Sequence, residues 1–134
     1  MFSSETSVRV RYSETDKMSY VYYGNYASYF EVGRVESLRN LGMSYRKMEE
    51  SGIMLPVAEY KVKYFKPARY DDLLTIHTRI PSIPTVRIVF QYEIYNEDKV
   101  KITEAETTLV FIDTATGKPR KAPEELVLRL SSFF

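Results

Sequence analysis

The chain has no cysteine, no tryptophan and a single histidine among its 134 residues. Without thiols there can be no disulfide, no thiolate nucleophile and no cysteine-ligated metal. One histidine excludes a His-pair metal centre and makes any Ser-His-Asp triad depend on His77. His77 sits in LLTIHTRI, where Leu74, Ile76 and Ile80 share one phase and His77 takes the other, so it reads as a surface or packed strand residue. No apolar run approaches the roughly 20 residues of a membrane span, and MFSSETSV lacks a signal-peptide core. A net charge of +1 gives no general attraction to nucleic acid. These absences point to one cytoplasmic domain over residues 1–134, in which carboxylates must carry any chemistry.

What is present in excess is tyrosine, with 12 residues, several of them in YSETDKMSYVYYGNYASYFEVGRVE. Val8, Val10 and Tyr12 alternate with Arg9 and Arg11, the pattern of a half-buried first strand. Residues 13–24 break the alternation and form a loop. From Asn25 the period turns helical, with Tyr26, Tyr29, Phe30, Gly33, Ser37 and Leu41 on one stripe. Asn25 is the expected N-cap and Leu41-Gly42 the stop. Gly33 in that stripe predicts a close approach to something flat, such as a sheet. Residues 44–51 allow one or two more helical turns. Strands follow over Ala58–Tyr64, Leu74–Ile80, Val86–Ile94 and roughly Val100–Asp113, then a terminal helical turn from Pro123. The last strand turns apolar on both phases from Leu109 to Ile112, predicting a bulge or a face covered by a partner subunit. Short loops between the later strands predict antiparallel pairing, and one helix on such a sheet is an α+β architecture. A single helix covers one face only, so self-association is expected.

The tyrosines at 20–29 read mainly as packing, with Tyr22 and Tyr23 placed to line a pocket mouth. Asp16 lies in the loop ahead of the long helix, among aromatics. A carboxylate there can activate water or attack directly, while helix N–H groups hold developing negative charge. Glu14 is its competitor, two residues back, and Glu31 reads as a structural hydrogen-bond partner. The basic set Lys61, Lys63, Lys66 and Arg69 reads as a solvated sheet face, with phosphate contact open to a few of its members.

The block VRVRYSETDKMSYVYYGNYASYFEVGRVESL resembles the first motif of the 4-hydroxybenzoyl-CoA thioesterase family of the hotdog superfamily. PVAEYKVKYFKPARYDDLLTI resembles the family's next strand pair, and DTATGKPRKAP its last strand and tail. The resemblance implies a hotdog fold, a five-stranded antiparallel sheet wrapped around one long helix, dimeric through sheet pairing and often tetrameric. It implies hydrolysis of a small or medium acyl-CoA without a cofactor or metal. Asp16 falls on the family's catalytic carboxylate, and Tyr23 on the residue whose backbone N–H polarises the thioester carbonyl. Gly24, Asn25 and Tyr26 match the helix-opening positions, with Tyr22 beside them. Arg69, Arg87, Arg120 and Lys121 are candidates for the CoA phosphates. This chain departs from the pattern at Ser19, where the family often has glycine, and at Tyr23, where many bacterial members have histidine. Two alternatives remain at this stage: a hotdog hydratase or dehydratase, and a non-catalytic dimer that binds an acyl group or nucleic acid.

Overall fold

The computed structural model describes all 134 residues. Strand β1 (Phe2–Arg9) leads through a loop into the long helix α1 (Tyr26–Asn40), followed by a short helix α2 (Tyr45–Glu50) and a two-residue strand β2 (Ile53–Met54). Then come β3 (Val57–Tyr64), β4 (Leu73–Ile80), β5 (Arg87–Tyr95), β6 (Lys101–Val110), the two-residue β7 (Ile112–Asp113) and the terminal helix α3 (Glu124–Ser131). The result is the expected five-stranded antiparallel sheet with α1 against one face. No helix is long and apolar enough to cross a membrane.

Helix α1 forms because its apolar stripe has somewhere to go. Tyr26, Tyr29, Phe30, Gly33, Ser37 and Leu41 are all buried. Phe30 packs on Tyr92 of β5 with ring centroids 4.8 Å apart. Gly42, at φ 79°, ends the helix in the left-handed conformation that glycine adopts without strain. Gly33 brings the helix backbone onto the sheet, as its place in the stripe predicts. A Cβ there would lie 2.6 Å from Thr78 Oγ1 and 2.9 Å from Ile76 Cγ2, both on β4. Gly33→Ala should therefore destabilise the fold by about 1–3 kcal/mol despite its better helix propensity, a loss visible as a lowered urea midpoint.

The sheet order is β1-β4-β5-β6-β3. The β4–β5 and β5–β6 connections are hairpins, but β3 and β4 are not neighbours, which corrects the expectation that all the later strands pair in succession. Both edges of β4 are taken, one by β1 and one by β5, so the 65–72 segment carries the chain across the end of the sheet. The long last strand is also corrected. It stops at Val110, and Ile112 and Asp113 pair with Met54 and Ile53 in a separate small sheet. Both phases are apolar there because the chain passes from one sheet to another, with Phe111 buried at the crossing.

Strand β3 ends the sheet, and its outer edge is unpaired. Its helix-side aromatics stay open to solvent, Tyr60 at 41% and Tyr64 at 44%, where alternation alone predicts burial. The sheet therefore ends on an eight-residue strand with one open edge and exposed aromatic rings.

Candidate active site

The loop before α1 is held by its own short-range chemistry. Residues Tyr12–Glu14 form a 3-10 turn. After Thr15 the chain reverses, and Asp16 organises the reversal: its N–H donates to the Tyr20 carbonyl at 2.8 Å, and its Oδ1 accepts from the Met18 N–H at 2.8 Å. The Tyr20 N–H approaches the same oxygen at 3.4 Å. The second carboxylate oxygen, Oδ2, has no partner within the chain. Ser19 sits at φ 67°, so it adopts the left-handed turn that a glycine would take more cheaply, and the loop keeps its shape at about 1–2 kcal/mol of backbone strain.

The helical path starts earlier than its first full α-turn. Tyr22 is extended (φ −60°, ψ 130°), and Tyr23–Asn25 form a 3-10 turn that runs into α1. Asn25 is not the N-cap expected from the sequence. Its own backbone is already helical and its side chain accepts nothing from the first turn. Instead its Nδ2 donates to the Glu14 carbonyl at 2.8 Å, tying the loop to the helix. The N–H groups of Tyr23 and Gly24 make no hydrogen bond within the chain, as the geometry of a helix start leaves them.

Asp16 and Tyr23 line one cleft of about 300 Å³, together with Met18, Tyr20, Val21 and Tyr26 from the loop and helix start. The opposite wall comes from Tyr64 at the end of β3 and from Phe65, Lys66 and Pro67 just beyond it. The Tyr64 hydroxyl lies 3.3 Å from the Tyr23 carbonyl, and its ring packs edge-on against Tyr26. Burial pushes the Tyr26 hydroxyl above its ordinary pKa, so it stays protonated as a neutral wall. The cleft is mostly apolar, with one carboxylate, one lysine and the free end of a helix. A thioester carbonyl placed at that helix end would have its oxygen against N–H donors and a positive dipole.

The other candidates separate into near and far. Tyr22 does not line the cleft; its ring folds against Tyr23 and over Gly24, where a Cβ would meet it at 2.8 Å. Arg69 flanks the cleft through the bridge between its backbone and that of Tyr20, with its guanidinium 4.8 Å from the Tyr20 ring centre. Arg87, Arg120 and Lys121 gather at the opposite end of the sheet, joined by the bonds of Phe111 N–H to the Val86 carbonyl and Arg120 N–H to the Phe111 carbonyl. That end of β3 is seven residues from Tyr64, or ~23 Å along the strand. Within one chain these three cations and Asp16 do not meet.

Glu14 points away from the cleft, toward Arg11 and Tyr29. Glu31 is exposed and makes no hydrogen bond, so its expected structural role is corrected: it faces outward, one position past the buried stripe. His77 faces Glu5 at 3.3 Å on the outer side of the sheet. What the sequence reading missed is the second wall of the cleft. Tyr64, Phe65 and Lys66 lie more than forty residues beyond Asp16, where Lys66 reads as part of a solvated face and Tyr64 as a buried strand residue opposite it. The signal is Pro67, which bars the strand from continuing just where the chain, past the end of β3 at Tyr64, runs along the cleft.

The model of the thioesterase-like superfamily matches residues 10–130. The acyl-CoA thioester hydrolase YbgC of Escherichia coli is 35% identical over 120 residues, covering 90% of each chain. Among solved structures, a DHNA-CoA thioesterase from Staphylococcus aureus superposes with a TM-score of 0.87 at 37% identity, over all of this chain and 85% of its own. The Thermus thermophilus protein TT1821 superposes at 0.91 with 30% identity, over 98% and 99% of the two chains. With the motif around Asp16, the helix-wrapped sheet and these matches in agreement, the chain belongs to the hotdog-fold thioesterase-like superfamily.

Proposed function

We propose that the chain hydrolyses acyl-CoA thioesters in the cleft between the Asp16 loop and the end of β3. One observation carries this reading: an Asp16 carboxylate with a free oxygen lines the same cleft as Tyr23, the residue at the start of the helical path whose N–H has no acceptor. The carbonyl oxygen of the thioester is polarised by the Tyr23 N–H, with the Gly24 N–H beside it. Charge that develops on that oxygen in the transition state is met by fixed dipoles in a half-apolar cleft. Asp16 either takes a proton from the attacking water or attacks the carbonyl itself, with water cleaving the resulting anhydride. In both routes the thiolate of CoA leaves, the carboxylic acid is formed, and no cofactor or metal is required. The acyl group, small or medium in size, runs along α1 past Tyr26.

A second copy of the chain completes the site. If β3 pairs antiparallel with β3 of that copy about a two-fold axis, the Tyr64 end of one strand lies beside the Val57 end of the other. The same operation carries Arg87, Arg120 and Lys121 of each protomer toward the cleft of its partner, where the CoA phosphates would extend. Supporting this are the unpaired β3 edge, its exposed tyrosines and the placement of all three cations at the Val57 end. Replacing the three cations by alanine should raise KM for acyl-CoA by about tenfold or more with kcat little changed, and should make KM less sensitive to salt. A panel of acyl-CoA esters assayed by thiol release tests the activity itself. No turnover across the panel would refute it.

A further inference from the structure

Glu14 makes more connections than any other residue of the loop, and none of them is to the cleft. Its Oε1 accepts from the Arg11 N–H at 2.8 Å and from the Tyr29 hydroxyl at 2.8 Å, and its Oε2 accepts from the Arg11 guanidinium at 3.1 and 3.2 Å. Its main-chain carbonyl accepts from the Tyr22 N–H at 2.9 Å and from Asn25 Nδ2 at 2.8 Å. One residue therefore grips the start of the loop at Arg11, the body of α1 at Tyr29, the helix entrance at Asn25 and the peptide just before Tyr23. Asp16 is two residues further along the same chain.

The geometry points to Glu14 as a positioning residue for the hydrolysis proposed above: it fixes the Asp16 carboxylate relative to the Tyr23 N–H by clamping the loop to the first turns of α1. The Tyr22 N–H is held by Glu14, and the Tyr22 carbonyl by the Asn25 N–H at 2.9 Å. With both ends of that residue tied, the next N–H, that of Tyr23, is left unbonded and its direction is set. The clamp is built to hold at working pH. Burial alone would push the Glu14 carboxyl up, but the Arg11 N–H, the Tyr29 hydroxyl and the Arg11 guanidinium together hold it below the ordinary carboxylate value. Burial and the Glu14 charge in turn push the Tyr29 hydroxyl well above its ordinary range, so it remains a donor. Charge-assisted bonds of this kind are about twice as strong as neutral ones, and a reacting group misplaced by ~1 Å loses on the order of 100-fold in rate.

This inference rests on the thioesterase reading, and its test separates the two. Glu14→Ala, Glu14→Gln and Tyr29→Phe are compared with the parent chain for acyl-CoA hydrolysis, with thermal unfolding measured on each. Glu14→Ala is expected to lower kcat by about 10- to 100-fold with KM within about threefold, because the cleft walls remain and only the register of base and amide is lost. Glu14→Gln keeps one oxygen for the Tyr29 hydroxyl and the Arg11 N–H, loses the acceptor for the Arg11 guanidinium, and is expected to recover a substantial part of that turnover. Tyr29→Phe is expected to fall between them, and to add little on top of Glu14→Ala. Gly33→Ala, destabilised at the distant helix–sheet contact, is the control and should keep its kcat per folded molecule. The inference is overturned if Glu14→Ala loses turnover only as far as Gly33→Ala does at equal stability. It is also overturned if Glu14→Gln is as inactive as Asp16→Asn, since Glu14 would then be the base. A parent chain active on acyl-CoA with a fully active Glu14→Ala sinks the positioning role and leaves the thioesterase reading standing.

Discussion

Asp16→Asn is expected to lower kcat for acyl-CoA hydrolysis by at least ~100-fold while leaving the fold and KM nearly unchanged. The substitution is close to isosteric, and the amide oxygen can still accept from the Met18 and Tyr20 N–H groups that now hold Oδ1. What disappears is the second carboxylate oxygen, the one without a partner, and with it any general base or nucleophile in the cleft. Lys66 is the other charged residue lining the cleft, and as an ammonium it does not replace a base. Unchanged thermal unfolding with lost turnover places the chemistry at Asp16. Turnover retained by this variant removes Asp16 from the mechanism, whatever the stability result.

The second large effect concerns a backbone atom, which side-chain replacement does not reach. Tyr23→Pro deletes the Tyr23 N–H and is expected to cost ~100- to 1,000-fold in kcat. The local backbone should accept a proline. Tyr22 has ψ 130°, the extended conformation that a following proline requires. Tyr23 opens a 3-10 turn, where a fixed φ near −65° suits the chain and the N–H has no acceptor to lose. Tyr23→Phe and Tyr23→Ala serve as controls: if the backbone amide is what matters, Phe should keep nearly full turnover and Ala should affect KM more than kcat. If Tyr23→Pro folds and turns over at the parent rate, the oxyanion site lies elsewhere on the helix start, with the Gly24 N–H the next candidate.

Asp16 stands out in the sequence because the loop between the first strand and α1 is long, acidic and surrounded by aromatics, and the competing chemistries are missing. Its separation from Glu14 is not readable there. The two carboxylates are two residues apart, and an extended chain would put both on one side. The 3-10 turn at Tyr12–Glu14 breaks that rule, sending Glu14 toward Tyr29 on α1 while Asp16 turns to the cleft. Asn25 shows the same limit. Its position before the helix predicts an N-cap, but the Glu14 carbonyl offers its side chain a better partner across the loop. Such choices depend on groups brought together from residues 14 and 25, and no local propensity encodes them.

The sequence by itself determined most of the elements and, for α1, β4 and β5, the faces they bury. It misplaced the first strand, which runs Phe2–Arg9 and leaves Tyr12 exposed in a 3-10 turn. Period-2 and period-3.6 patterns come directly from strand and helix geometry, so β4, β5, α1 and the close approach at Gly33 were present in the order of the residues. Left to the tertiary structure were the pairings between distant segments. Nothing local says that β3 leaves β4 to pair with β6, that the chain changes sheets at Phe111, or that Tyr64 and Lys66 close a cleft begun at Asp16. Nor does it say that Arg87, Arg120 and Lys121 lie at the far end of the sheet from that cleft. Those outcomes come from which strand edges were already occupied, a property of the whole assembled sheet.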